Sequence, residues 1–206
     1  VTGANRGVGL GLVRELLNEP SIAIVIAAVR SIETAKDLKA IGNPKLHVVT
    51  LDVTSENSIA DAVEKVKNIL DGNGLDILIN NAGIYPERKI PTKEEAMKQF
   101  EVNAVGPMLV ANGLLKQAAE LNGSAQVANI SSAGGSLSLA LDEEWSPPTT
   151  YAMSKAALNM LTRKLMLDWK NDKIRATAFT PGWVRTDMGG PDAERSVEEA
   201  TQPLVK

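Results

Sequence analysis

The chain has 206 residues, 44% hydrophobic and 23% charged, which suits one large globular domain with a sizeable core. Its net charge is −3 and no long Lys/Arg run appears, which sets aside nucleic acid and anionic membrane as partners. There is no Cys, and the one histidine, His47, lies in an apolar run and reads as structural, so no metal is expected; with no bilayer-length apolar run and no visible signal peptide, the expected location is cytoplasmic.

The first motif is Thr2-Gly3-Ala4-Asn5-Arg6-Gly7-Val8-Gly9, followed by a helical pattern (Leu10, Val13, Leu16, Leu17) that Pro20 stops. Glycines let the backbone turn tightly and approach a ligand, and a helix N-terminus offers N–H groups and a positive dipole end to a pyrophosphate. The spacing, G-x-x-x-G-x-G, departs from the more familiar dinucleotide turn, and a plain loop is the alternative. Ile22 to Val29 reads as a parallel strand buried on both faces and ends at Arg30. In dinucleotide folds that position faces the adenosine ribose, where an acid suits a 2′-hydroxyl and an Arg a 2′-phosphate. Arg6 and Arg30 are therefore expected to clamp a 2′-phosphate, the alternative being two solvated surface residues.

Leu46 to Leu51 reads as a further strand, ending in Asp52-Val53. Ile59, Val63, Val66 and Leu70 mark an amphipathic helix, and Leu75 to Ile79 a strand running into Asn80-Asn81-Ala82-Gly83. From Lys93 to Leu121 the pattern is mostly helical, and Pro107 is expected to kink it and free a carbonyl just after Asn103. Val127 to Ile130 is the next strand, ending at Ser131-Ser132. A loop follows, with Leu137, Leu139 and Leu141 alternating with small residues, then acidic Asp142-Glu143-Glu144, Trp145 and Pro147-Pro148. Ile174 to Phe179 is the last strand, ending at Pro181-Gly182. This alternation predicts an α/β fold: a doubly wound, Rossmann-type parallel sheet with helices on both faces, a three-layer sandwich.

Tyr151-Ala152-Met153-Ser154-Lys155 opens a long helical pattern with Leu158, Leu161 and Leu165, uninterrupted by Gly or Pro before Pro181. A helix brings residues four apart to one face, so the Tyr151 phenol and the Lys155 ammonium are expected side by side. A cation that close lowers a phenol's pKa by about 1–3 units from its usual value, giving a proton donor nearer working pH. Taken alone, the pair also fits a half-exposed Tyr beside a solvated Lys.

Six blocks stand in order: Thr2 to Gly9, Asn80-Asn81-Ala82-Gly83, Phe100-Glu101-Val102-Asn103, Asn129-Ile130-Ser131-Ser132, Tyr151 to Lys155, and Pro181-Gly182-Trp183-Val184-Arg185-Thr186. Over nearly its whole length the chain resembles the short-chain dehydrogenase/reductase family. Within it the chain most resembles the NADPH-dependent carbonyl reductases of the sniffer and C-factor type, through Gly3-Ala4-Asn5-Arg6-Gly7 and the stretch from Trp183 to Gly190. The resemblance implies Tyr151 as catalytic acid and Lys155 as its pKa-lowering partner and ribose contact. It implies Ser132 as the residue that hydrogen-bonds the substrate carbonyl, with Ser131 competing, and Asn103 as the fourth member, its backbone holding a relay water. Gly3, Asn5, Arg6, Gly7, Val8 and Gly9 resemble the phosphate turn, and Arg30 the 2′-phosphate site. Asp52 and Val53 resemble adenine contacts, while Asn80, Ala82 and Gly83 line the cofactor cleft. Pro181, Gly182, Val184 and Thr186 resemble nicotinamide contacts. Each has a plainer alternative: Asp52 or Thr186 capping a helix, Asn80 and Asn81 tying strand ends together.

The implied activity is NADPH-dependent reduction of a ketone, aldehyde or quinone, a small-molecule carbonyl substrate, with Tyr151 as proton donor. An idle NADP-binding sensor or scaffold on the same fold is the rival from another class. An NAD-linked alcohol dehydrogenase is the rival among enzymes; Arg30 in place of an acid counts against it. Residues 1–206 are expected to form a single NADP-binding domain. Both ends look truncated, because only Val1 precedes the first turn where a buried strand takes about 5 residues, and residues could also be missing near Ala193. The long interval from Leu137 to Pro148 is expected beside the substrate cleft or as a solvent-facing excursion, and it leaves a homo-oligomer open.

Overall fold

The computed structural model describes residues 1–86, 90–140, 147–169 and 173–205, with side chains for all of these but 116–122. Five strands stand among them: β1 (Val25–Val29), β2 (Leu46–Thr50), β3 (Ile77–Asn80), β4 (Ala125–Ile130) and β5 (Ile174–Phe179). β1 pairs with β2, and β4 lies between β3 and β5, every pair parallel. Val1 and Thr2 join the two blocks. Ala28 N donates to Val1 O (2.8 Å), Thr2 N donates to Ile79 O (3.0 Å), and Thr2 bridges Ala28 in parallel register. The spatial order is therefore β2, β1, Val1–Thr2, β3, β4, β5. From Thr2 the chain travels one way through β1 and β2, then crosses to the other side for β3, β4 and β5. A reversal of this kind opens a crevice at the carboxyl edge of the sheet, where ligands of such folds bind.

The helices are α1 (Gly7–Asn18), α2 (Lys36–Ile41), α3 (Glu56–Leu70), α4 (Lys93–Phe100), α5 (Gly106–Asn122), α6 (Thr149–Asp168) and α7 (Val197–Val205). Alternation along the strands divides the core between two faces. Val25, Ala27 and Val29 of β1 pack with Leu10, Val13 and Leu17 of α1 and with Leu38 of α2. Ala28 turns the other way, into a cluster with Ile59 and Ala62 of α3, Val110 and Leu115 of α5, and Leu165 of α6. These are the three layers the sequence predicts. The strand bounds shift slightly: the apolar run from Ile22 enters the sheet only at Val25, and that from Leu75 only at Ile77.

Helix ends differ in a way that bears on function. Ser55 caps α3 by accepting from Ser58 N. At α4, Thr92 Oγ1 accepts from Glu95 N while the Glu95 carboxylate accepts from Thr92 N, a reciprocal cap. The N-terminus of α1 has neither: Arg6 precedes it with no side-chain cap, and no acid lies in its first turn.

The expected kink at Pro107 takes another form. Between α4 and α5 runs a π-helical turn, Glu101–Val105, with Gly106 N bonded to Glu101 O. Pro107 has no N–H to give to the carbonyl four residues earlier, that of Asn103. The wider turn accommodates this misfit. Gly106 lets the helix settle on the turn after β2, since a Cβ there would come within 2.9 Å of the Val53 carbonyl oxygen.

The joint at Thr2 yields a direct prediction. Its hydroxyl, in a residue 2% exposed, accepts from both Asn81 N and Ala82 N at 3.0 Å. Thr2→Val keeps the shape and leaves two backbone donors without an acceptor, so stability should fall by about 2–4 kcal/mol. Thr2→Ser should retain most of it. Urea unfolding of the three proteins reads this directly, and equal midpoints for Thr2→Val and the unmodified chain would contradict the role given to the joint.

Candidate active site

The register aligns Asn80 of β3 with Asn129 of β4, so the residues following both strands emerge together at the carboxyl edge. Below that edge the two asparagines are buried and tied: Asn80 Nδ2 donates to Asn129 Oδ1 (2.9 Å) and Pro107 O (3.3 Å), and Asn129 Nδ2 donates to Thr162 Oγ1 (2.9 Å) on α6. Asn81 Nδ2 donates to the Thr2 and Gly3 carbonyls (2.9 and 3.2 Å). Both side chains therefore do what the plainer reading expects, tying strand ends.

Asn103 sits in the π-turn with no exposed surface. Its amide clamps Ile84 from both sides: Ile84 N donates to Oδ1 (2.8 Å), and Nδ2 donates to Ile84 O (2.9 Å). Nδ2 also donates to Ser154 Oγ (3.0 Å), whose own proton goes to Tyr151 O (2.8 Å). The loop after β3, the π-turn and the first turn of α6 are thereby fixed to one another. A Cβ built on Gly83 would lie 3.4 Å from Asn103 Oδ1 and 3.7 Å from Lys155 Nζ, so the three residues converge.

Tyr151 and Lys155 share a face of α6 as expected, with Nζ 5.8 Å from the phenol ring centroid. Lys155 is 5% exposed and donates to Ile130 O (2.8 Å). Burial lowers its pKa to about 8, so it stays mostly protonated at neutral pH. For Tyr151 the expectation of a lowered pKa is overturned. Burial raises it; a hydrogen bond with Ser132 pulls the other way, and the nearby Tyr85 phenol adds to the rise. The Lys155 charge is spent on a carbonyl, while the half-buried phenol has lost part of its water. Tyr151 is thus a phenol that holds its proton.

The two serines differ in their partners. Ser131 donates to Asn159 Oδ1 (2.6 Å), and Asn159 Nδ2 donates to Gly135 O (3.0 Å), so this hydroxyl braces the loop against α6. Ser132 Oγ accepts from Gly134 N (3.1 Å) and keeps its own proton on the Tyr151 side. The short 3₁₀ turn Ala133–Gly135 lies on the backbone of α6: a Cβ on Gly135 would come within 2.6 Å of the Lys155 carbonyl carbon.

The glycine turn forms the other wall. Gly3 has φ +63°, and a Cβ there would come within 2.9 Å of Ala82 Cα. A Cβ on Gly9 would overlap the Gly3 carbonyl and the Asn81 amide. Gly7 has φ +53° and faces the Thr186 methyl group, which brings the turn against the loop after β5. There Gly182 has φ +81°, Val184 is buried, and Thr186 Oγ1 accepts from Gly189 N (3.1 Å), capping a turn of its own. Arg185 N donates to Arg195 O and Arg195 N to Trp183 O, closing the loop across Ala193.

Arg6 departs from expectation. Its guanidinium pairs with Asp187 at 2.7 Å, both side chains being mostly exposed, so the pair spans the cleft from the glycine turn to the Thr186 loop. Arg30 stands exposed at the end of β1, and its charge helps hold the Asp52 carboxyl below its ordinary range, after the larger effect of the Thr54 N–H. Asp52 accepts from Thr54 N and Oγ1 (2.9 and 2.8 Å) and so shapes the turn before α3, while Val53 is buried beside Gly106. In the Leu137 to Pro148 interval, Leu137 and Leu139 are exposed, and 141–146, with Leu141, the acidic run and Trp145, lie outside the described residues. No group of His, Asp and Glu among the described residues could hold a metal, and none of their helices is long and apolar enough to cross a membrane.

Sequence reasoning missed Ser154, Asn159 and Tyr85. Ser154 lay inside the Tyr151–Lys155 block and was passed over, although a Ser inside an apolar helix invites the question of its partner. The Tyr85 ring stands 4.8 Å from that of Tyr151, centroid to centroid, with the planes at 58°.

The model of the short chain dehydrogenase family matches residues 1–196. The protein FixR of Bradyrhizobium diazoefficiens is 34% identical over 207 residues, covering 96% of this chain and 70% of FixR. The crystal structure of NADPH-bound carbonyl reductase from chicken fatty liver superposes with a TM-score of 0.90 at 36% identity, over 97% of this chain and 86% of that one. The carbonyl reductase Sniffer of D. melanogaster does so with a TM-score of 0.91 at 34% identity, over 99% and 88%. The likeness to sniffer-type carbonyl reductases expected from the motifs is thus matched in structure. A doubly wound sheet, a glycine turn at its switch point and a Tyr–Lys pair on α6, together with a family match over most of the length, make the chain a member of the short-chain dehydrogenase/reductase family.

Proposed function

We propose that this chain, acting as a single cofactor-binding unit, is an NADPH-dependent carbonyl reductase. The observation that carries the reading is the Tyr151 phenol on α6 with the buried Lys155 cation 5.8 Å from its ring centroid, Ser132 acting on the phenol and Gly83 close to the cation. The residues present fit a dinucleotide. The N-terminus of α1 has no side-chain cap and no acid in its first turn, leaving it suited to a pyrophosphate. Gly3, Gly7 and Gly9 let the turn close against Ala82, Thr186 and its own backbone, where a Cβ would crowd each contact. Arg30, exposed at the carboxyl end of β1, supplies the cation a 2′-phosphate needs; equal dissociation constants for NADPH and NADH would contradict that role. Arg6 would add to it only by leaving Asp187.

NADPH, when bound, supplies the hydride. Tyr151 gives its proton to the carbonyl oxygen, and its raised pKa keeps that proton in place until negative charge develops there. The Ser132 hydroxyl points to the same oxygen and polarises it. Lys155 places a positive charge beside the phenolate that remains. The Asn103 carbonyl, which residue 107 cannot engage, would hold a water from which a proton can return to Tyr151 through Lys155.

Tyr151→Phe keeps the ring and its packing and removes the proton. Turnover of a reactive dicarbonyl should fall by roughly 10²–10⁴-fold, while the NADPH dissociation constant from fluorescence titration stays within about twofold, since the glycine turn and Arg30 are untouched. Full activity in this variant would overturn the assignment.

Lys155 makes a prediction about pH and stability together. Its folded pKa of about 8 lies below the ordinary 10.5. The ammonium is present below pH 8 and lost above it, so kcat/KM for reduction should be level on the acid side and decline as pH rises through that value. The sign for stability is opposite. The fold disfavours the charged form, a penalty complete below about pH 8 and gone above the unfolded value. Lys155→Met removes the penalty, less the lost bond to Ile130, so at neutral pH it should be as stable as the unmodified chain or more so, by up to about 2 kcal/mol. Activity and cofactor affinity should both fall. A variant several kcal/mol less stable in calorimetry, or a flat rate profile from pH 6 to 10, would contradict this account.

A further inference from the structure

The six sequence blocks leave out the residue that lies against the Tyr151 ring. Tyr85 follows Ile84, whose N–H and C=O are both held by the Asn103 amide at 2.8 and 2.9 Å. Asn103 has no exposed surface, so the backbone from which Tyr85 projects is anchored to the most buried part of the site. The Tyr85 ring centroid lies 4.8 Å from that of Tyr151, with the planes inclined at 58°, a tilted aromatic contact of the favourable kind. Yet Tyr85 remains 40% exposed. One part of the ring packs on the Tyr151 phenol and the rest faces outward.

This placement has a chemical consequence. The Lys155 cation lies 5.8 Å from the Tyr151 ring centroid, with Gly83 close to its Nζ, and so takes up one side of the ring. A carbonyl whose oxygen reaches Tyr151 and Ser132 must lay its substituent along the remaining rim, and Tyr85 forms part of that rim. An exposed ring held from behind by its own backbone loses little entropy when a ligand covers it. A flat conjugated substituent can lie on such a ring as a second aromatic contact, whereas a puckered aliphatic one of equal size gains only area.

We propose that Tyr85 is a specificity-determining residue. It forms the aromatic wall of the substrate site and favours aryl and other planar conjugated carbonyls over aliphatic ones of the same size. The inference rests on the carbonyl-reductase reading, and the test separates the two.

The experiment compares acetophenone with cyclohexyl methyl ketone, which differ in ring planarity and not in carbon skeleton. In the NADPH-saturated unmodified protein, Tyr85→Phe and Tyr85→Ala, the ratio of kcat/KM for the two ketones is measured. The same ketones are titrated against the protein–NADP⁺ complex, where no reduction can take place. Aromatic contacts of about 0.5–1.5 kcal/mol correspond to about 2–10-fold. Tyr85→Ala should lower the aryl preference by that factor, in KM and in the binding titration more than in kcat, and Tyr85→Phe should keep it. An unchanged ratio and unchanged relative affinity in Tyr85→Ala would overturn the proposal. Loss of binding of NADP⁺ itself in Tyr85→Ala would also overturn it, by showing a structural role. If the unmodified protein reduces neither ketone, the reductase reading fails, and the binding arm still decides for or against the aromatic wall.

Discussion

Three parts of the site meet on one buried amide. Asn103 offers its oxygen to Ile84 N and its nitrogen to Ile84 O and Ser154 Oγ, and Ser154 in turn bonds Tyr151 O. These bonds lie where water does not compete, so each counts for more than a surface bond would, and losing any one strands a buried polar group. Through them the loop after β3, the π-turn and α6 move as one body. The π-turn is what brings the amide there. Pro107 cannot complete an ordinary α-helical turn with Asn103, and Gly106 lets the widened backbone settle against Val53. A local misfit in the helix becomes the fixed point of the site.

The same economy explains the two ionisable groups. Lys155 is buried beside a single carbonyl, an arrangement that costs stability, since removing a cation from water is poorly repaid by one neutral acceptor. Tyr151 is half-buried, and the partial loss of water holds its proton more firmly than in solution. A site shaped only for stability would have neither. Strain of this type is common where chemistry needs a charge in a dry place. The fold tolerates it because the joint at Thr2 and the asparagine pair beneath the carboxyl edge keep the sheet rigid underneath.

Much of this was legible in the residues. The alternation of apolar runs gave the doubly wound sheet, since parallel strands buried on both faces leave little room for polar positions. The glycine turn was legible because only glycine permits the left-handed backbone of Gly3 and Gly7 together with contacts as close as those at Gly9. Helical spacing put Tyr151 and Lys155 on one face, and the resemblance of the six ordered blocks supplied their expected roles. Side-chain pairing was less so. Nothing in the sequence said that Arg6 would find Asp187, far along the chain. The direction of the Tyr151 shift was misjudged because spacing reports which charges are near and says nothing of how much water is lost. Position within the motif favours Ser132 over Ser131 only through the family resemblance; that Ser131 bonds Asn159, more than twenty residues on, is not readable there. The short helix α2 and the helix α7 went unannounced, because α2 buries only Leu38 and α7 carries Pro203 within it.

The central claim is that hydride passes from bound NADPH to a carbonyl carbon in this site. The most direct measurement uses NADPH deuterated in turn at each of the two transferable ring positions, with a dicarbonyl substrate and mass analysis of the product alcohol. The account predicts deuterium on the carbinol carbon from one of the two isotopomers and not from the other, as a single fixed binding geometry requires. Product without deuterium from either isotopomer, or no product at all across aryl and alkyl carbonyls, would contradict it.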